Sequence, residues 1–272
     1  METAGLLLVG CGKMGGAMLA GWLAGDGAPT PVVVVEPQPA PGAIPSGRRD
    51  LAVVATADAI PAQFRPQAVV LATKPQIMDE VVPAYARFAG AGTVFLSVAA
   101  GRPLSYFAQR LGDTAAIVRA MPNTPAQVGR GIAACCANGV VSQAQRDLAD
   151  RLLRAVGEVC WIEDEALMDA VTAVSGSGPA YAFLLAECMT EAGRAAGLPE
   201  ELAARLARAT VAGAGELLHR STETAGQLRR NVTSPNGTTA AALAVLMAAD
   251  GLQPLMTRAV AAAARRSREL AG

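Results

Sequence analysis

Residues 5–10, "GLLLVG", are continuously apolar for the length of a short strand, and the pattern then changes to glycine spacing and helical periodicity in "GCGKMGGAMLAGWLAG". A second apolar run, "PVVVVE", follows a polar break. "QAVVLATKP", "GTVFLSVAA" and "TAAIVRAMP" repeat the pattern as far as residue 122. Apolar runs without alternation predict buried strands, with the shorter helical stretches lying between them. After Trp161 the spacing is helical almost throughout. "EDEALMDAVTAVSGSGPAYAFLLAECMTEAGRAAG" has acids in its first turn and ends at Gly197 and Pro199. Inside it, Pro179 predicts a kink, and Gly176 and Gly178 admit close approach of a backbone or a ligand. Helix–helix packing through small residues explains the same glycines. Three further helices are predicted in "PEELAARLARATVAGAGELLHRS", "TTAAALAVLMAADG" and "QPLMTRAVAAAARRSREL", whose small apolar faces suit tight packing between subunits.

The order strand, glycine-rich turn, helix, strand gives the G-x-G-x-x-G at Gly10, Gly12 and Gly15 its meaning. Gly10 allows the tight turn, Gly12 lets backbone approach a pyrophosphate, and Gly15 lets the helix pack close to the sheet. Cys11, Lys13 and Met14 fill the same turn, and the free amides of the helix start favour an anion. Glu36 ends the second strand about twenty residues later, where an acid accepts from ribose hydroxyls and repels a 2′-phosphate. A solvated strand-end carboxylate is the plainer reading of it. Ala72, Thr73, Lys74, Pro75, Ala99 and Ala100 fall at the carboxyl ends of later strands, where open α/β sheets take their ligands. The pattern predicts an α/β Rossmann-type dinucleotide-binding domain over residues 1–161, followed by an all-α domain over residues 162–272.

The second polar signature is "NVTSPNGTT", residues 231–239, which sets four hydroxyls directly before an alanine-rich helix. One N-cap needs one hydroxyl. Ser234, Gly237, Thr238 and Thr239 at a helix start instead form a candidate site for a small carboxylate.

Composition removes other classes. The 23 basic and 23 acidic residues balance and are interspersed, which gives no basis for nucleic acid or an anionic membrane as partner. No apolar run is long enough to span a bilayer. Five cysteines without C-x-x-C spacing and a single histidine argue against a disulfide framework or a metal site, and fit reduced thiols in the cytoplasm. The only lysines are Lys13 and Lys74, and both lie in the motifs above.

The segments "VGCGKMGGAM", "LATKPQ", "SVAAG", "VRAMPNTPAQVGRG", "AVSGSGPAYAF" and "NVTSPNGTT" together resemble the pyrroline-5-carboxylate reductases, in family order from end to end. The first is shared with many dehydrogenases, whereas the last three are specific to this family. The resemblance implies reduction of 1-pyrroline-5-carboxylate to L-proline by NADPH or NADH, the last step of proline biosynthesis. It also implies a helical dimerisation domain, dimers assembled into rings that are often decamers, and an active site shared with a neighbouring subunit. Carried over by motif, residues 10–15, 72–75 and 99–100 hold the cofactor, and Asn231 reaches it. Ser234, Gly237, Thr238 and Thr239 hold the substrate, with Glu165 near the same pocket and Thr239 orienting the ring nitrogen. This chain departs at Asn236, which stands where the family has the first glycine of "SPGGT", and at Glu36, which replaces a small hydroxyl residue and leans towards NADH. Another reductase of this two-domain type would place a catalytic lysine in its helical half, where this chain has none. A silent dinucleotide-binding regulator would have no reason to keep both "SGSGP" and "SPNGTT".

Overall fold

The computed structural model describes residues 4–25, 28–42, 44–45, 47–90 and 92–271. Among the described residues eight strands form one sheet: β1 (Ala4–Val9), β2 (Val32–Val35), β3 (Leu51–Val54), β4 (Arg65–Leu71), β5 (Val94–Ser97), β6 (Ala116–Met121), β7 (Gly131–Ala137) and β8 (Gly157–Trp161). Their order is β3-β2-β1-β4-β5-β6-β7-β8. The first six are parallel in the doubly wound order 3-2-1-4-5-6. β7 returns antiparallel beside β6 and pairs parallel with β8. Leu6, Leu8, Val32, Val34, Val70 and Leu96 bury one face, while Leu7, Val9, Val33, Val35, Leu71 and Phe95 bury the other. Alternate residues of each run thus enter different cores, which is why these strands read as unbroken apolar stretches.

The helices are α1 (Lys13–Ala24), the single turn α2 (Met78–Val81), α3 (Leu104–Leu111), α4 (Gln143–Arg154), the single turn α5 (Met168–Val171), α6 (Gly178–Ala195), α7 (Glu200–Arg220), α8 (Ala225–Asn231), α9 (Thr238–Leu246) and α10 (Leu252–Ala271). α1 lies close against α4: the Trp22 indole donates to the Leu152 carbonyl at 2.8 Å, and a Cβ at Gly21 would meet the Ala155 carbonyl oxygen at 2.6 Å. α4 starts on a capping box between Ser142 and Gln145.

By internal contacts the chain groups into two compact units, residues 1–176 with 264–272, and residues 177–263. The helical pattern begins at residue 162, yet the first unit extends to 176. Met168 and Ala173 are buried, and the Ser267 hydroxyl donates to the Asp169 carboxylate at 2.6 Å. Change of pattern and change of packing therefore fall at different places. The expected single helix from 163 to 197 is interrupted as well. Thr172–Gly176 forms a π-helical turn and Pro179 sits in the first turn of α6, so the proline opens a helix where the pattern predicts a kink.

In the second unit α6 and α7 form a hairpin closed by Gly197 at φ +99°, with the Leu198 amide donating to the Gly193 carbonyl at 3.0 Å. Ala203 and Ala207 are the only fully buried side chains of residues 177–263, all of which are described. Phe183, Leu184, Val245 and Met247 are more than half exposed.

Candidate functional site

The first unit contains a cavity of about 650 Å³ at the carboxyl ends of β1, β2, β3 and β4. Gly10, Gly12, Glu36, Ala72, Thr73 and Lys74 line it, together with Pro37, Gln38, Ala55–Ala57, Ile77, Glu80 and Tyr85. The crevice lies where the strand order reverses between β1 and β4, the switch point at which open α/β sheets bind nucleotides. Each glycine has a separate reason. Gly10 has φ +88°, and a Cβ there would lie 2.9 Å from the Thr73 methyl. A Cβ on Gly15 would collide with the Gly10 carbonyl oxygen, whereas a Cβ on Gly12 would meet nothing within 4 Å. Gly10 and Gly15 are thus required by the protein's own backbone. The space in front of Gly12 is open for a ligand, at the start of a helix that no side chain caps.

Glu36 is fixed by backbone. One carboxylate oxygen accepts from the Cys11 amide at 2.8 Å and the other from the Gln38 amide at 3.2 Å. Burial and, second, the Glu36 charge push the Cys11 thiol above its ordinary pKa. Lys74 is the one cation among the described lining residues. Arg48 is committed to Asp50 through two hydrogen bonds of 3.0 and 2.7 Å. The Thr73 hydroxyl is buried without a hydrogen-bond partner, a defect that proteins seldom leave unexplained.

Ala99 is buried and Ala100 exposed just past β5, the neighbour of β4. Lys13 and Met14 occupy the first turn of α1, and Pro75 opens the turn after β4. Open space at Gly12, unpaired helix amides, a fixed acid at the second strand's end and an orphaned hydroxyl fit a dinucleotide.

Glu165 also belongs to the first unit. Its Oε1 accepts from Arg119 at 2.7 Å and from the Leu104 amide at 2.9 Å. The Arg119 side chain is 8% exposed and that of Glu165 29%. Glu165 therefore neutralises a buried guanidinium and caps α3, whose own N-cap, Pro103, offers no side-chain acceptor.

The hydroxyl loop lies in the second unit. Asn236 has φ +58°, and the Gly237 amide donates to the Ser234 carbonyl at 3.1 Å. A Cβ on Gly237 would collide with the Ser234 hydroxyl. Gly237 is the N-cap of α9 and makes no side-chain cap. The hydroxyls of Ser234, Thr238 and Thr239 have no hydrogen-bond partner among the described residues. The Asn231 side-chain amide accepts from Gln227 at 2.7 Å and donates to Glu223 at 2.9 Å.

Ala55–Ala57 and Gln38 escape a reading of the sequence because they follow β3 and β2 as loop residues without a motif. The charged triplet "RRD" before the short "LAVV" is the one sign of β3. Arg119 stands in the segment "VRAMPNTPAQVGRG", but nothing local pairs it with Glu165, 46 residues away. Among the described residues no group of three His, Cys, Asp or Glu side chains is placed to hold a metal ion, and no helix is long and apolar enough to cross a membrane.

A doubly wound sheet with a glycine cradle at its switch point defines a dinucleotide-binding protein of the Rossmann type. Residues 5–101 match the family described as NADP oxidoreductase coenzyme F420-dependent, and residues 165–270 match pyrroline-5-carboxylate reductase dimerisation. The pyrroline-5-carboxylate reductase of Pseudomonas aeruginosa is 41% identical over all of this chain and 98% of its own. That of Synechocystis is 41% identical over 97% of each chain. The solved pyrroline-5-carboxylate reductase of Coxiella burnetii superposes with a TM-score of 0.90 over 99% of both chains at 32% identity. The Plasmodium falciparum enzyme with NADP bound does so with 0.80 over 100% of both at 27%. The chain belongs to the pyrroline-5-carboxylate reductase family.

Proposed function

We propose that the chain reduces 1-pyrroline-5-carboxylate to L-proline with NAD(P)H, as the names of its relatives state for them. The observation that carries this reading is the start of α9. There Ser234, Thr238 and Thr239 bring three hydroxyls beside the free amides of a helix N-terminus, although a helix cap would use one hydroxyl. That turn suits a carboxylate, with Ser234 and the backbone of Thr238 as donors, joined by the Gly237 amide where it gives up the Ser234 carbonyl. Thr239 then orients the ring nitrogen.

A bound reduced nicotinamide supplies the hydride that the imine carbon accepts. The chain's own work is placement. Gly10 to Gly15 cradle the pyrophosphate, Glu36 takes the ribose hydroxyls, and Ala72–Pro75 with Ala99–Ala100 line the nicotinamide end. The cyclic imine arrives with its nitrogen protonated, so no strong acid is required of the protein, in keeping with its single histidine. Threonine is too weak an acid to be the proton source and serves here as an orienting group. Asn231, held by Gln227 and Glu223, is carried over as a cofactor contact through the second N–H of its amide. Glu165 gives its Oε1 to Arg119 and Leu104, which leaves Oε2 as the oxygen that would face substrate.

The family's dimerisation unit supports a homo-oligomer, and we extend this to a ring of dimers, a decamer, working in the cytoplasm. The test is steady-state reduction of pyrroline-5-carboxylate with each cofactor, beside a β-hydroxy acid in the oxidative direction. Turnover of the imine alone supports the reading. Turnover of the hydroxy acid alone sinks it.

A further inference from the structure

The segment between β5 and α3 is held at two points. Gly101 has φ +74°, and a Cβ there would lie 3.4 Å from the Leu270 carbonyl oxygen. The Leu104 amide is held by Glu165. Between them Arg102 reaches back to the other cofactor-lining turn. Its guanidinium donates to the Pro75 carbonyl at 3.0 Å and lies 3.7 Å from the Asp79 carboxylate. It also stacks 4.5 Å from the centre of the Tyr106 ring. That support is itself braced: the Tyr106 hydroxyl donates to Asp79 at 2.9 Å, and Arg110 donates to the same carboxylate at 2.5 Å.

We propose that Arg102 is a positioning residue for the nicotinamide cofactor, tying the turn after β4 to the turn after β5 without touching the cofactor itself. The inference rests on the reading that Ala72–Pro75 and Ala99–Ala100 line the nicotinamide. Strand ends stop making ladder bonds, so the spacing of two such turns is set by whatever crosses between them. Arg102 crosses there, and a flat guanidinium can stack on Tyr106 and donate to Pro75 in one fixed geometry. A lysine reaches the carbonyl with its charge but without the stack. Small displacements of cofactor-positioning backbone are costly to binding and to hydride geometry.

The test compares Arg102→Ala and Arg102→Lys with wild type by three readouts. These are NADH titration by nicotinamide fluorescence, melting temperature, and amide hydrogen exchange of residues 72–77 in the cofactor-free protein. Arg102→Ala should raise the NADH dissociation constant roughly tenfold and speed exchange in residues 72–77, with Arg102→Lys between it and wild type. Guanidinium ion at low millimolar concentration should restore part of the affinity of Arg102→Ala, and methylammonium should not. A folded Arg102→Ala that binds NADH within about twofold of wild type overturns the proposal, whatever its melting temperature. Should Arg102→Ala fail to fold, Arg102→Lys decides. Weaker NADH binding at an unchanged melting temperature supports the proposal, and unchanged binding overturns it. Failure of the wild type to bind NADH removes instead the cofactor reading beneath it.

Discussion

At the residue scale, Glu36 and Ser234 carry the sharpest consequences. Glu36 is locked by the Cys11 and Gln38 amides, so its charge does not swing away from a 2′-phosphate. Arg48 is paired with Asp50 and does not line the cavity. NADH should therefore be used with about tenfold or greater efficiency over NADPH, roughly 1.4 kcal/mol, and Glu36→Ser should narrow the gap. Equal efficiencies in the wild type would remove Glu36 as the discriminator. Ser234→Ala deletes a donor to a charged group, a loss of about 1.5–3 kcal/mol, and should raise KM for the imine roughly ten- to hundredfold. Thr239→Val keeps the shape and should act more on kcat. NADH titration should be unchanged in both, and wild-type kinetics in both would reduce these hydroxyls to ornaments of a helix start. These residues are legible in the sequence because each belongs to a local pattern: glycines at fixed spacing, an acid at a strand's end, hydroxyls before a helix. Arg102 and Asp79 are not legible, since Arg102 meets the Pro75 carbonyl 27 residues away and no spacing rule joins them.

At the scale of elements, the strands that can be read from sequence are those buried on both faces. β1, β2, β4, β5 and β6 each carry a run of buried apolar residues, at residues 6–9, 32–35, 68–71, 94–96 and 116–118. β3 has only four residues, two of them exposed, and β8 alternates between half-buried and exposed positions. β7, "GIAACCA", is mostly small side chains without strong strand preference. The kink expected at Pro179 fails for a related reason. Periodicity continues through "SGSGP", but the π-helical turn before α6 restarts the hydrogen-bond ladder, and the proline then needs no donor. One junction of elements is testable. Removing one partner of a buried ion pair costs about 3–5 kcal/mol, while replacing both with apolar groups costs far less. Arg119→Met should thus lower stability by several times the loss in the double variant Arg119→Met with Glu165→Leu, measured by urea unfolding. The double variant will still miss the cap on α3, a loss of about 1 kcal/mol. Additive losses would show that the two side chains do not act as a pair.

At the scale of the molecule, the second unit has two fully buried side chains in 87 residues, Ala203 and Ala207, while Phe183 and Val245 are largely exposed. A helical unit with so little core of its own is incomplete as a monomer. Sedimentation at micromolar concentration should therefore find a dimer or a multiple of it, and a fully active monomer would contradict this. The sequence shows the alanine-rich faces but not their exposure, because a small apolar residue reads alike in a core and at an interface. The central claim, hydride delivery to a cyclic imine, is tested most directly by a label. Pyrroline-5-carboxylate is incubated with the enzyme and NADH carrying deuterium in the transferable position, and the product is read by mass spectrometry. L-proline should be one mass unit heavier, with deuterium at the former imine carbon and none when the enzyme is omitted. NADH left unoxidised, or proline without the label, would contradict it.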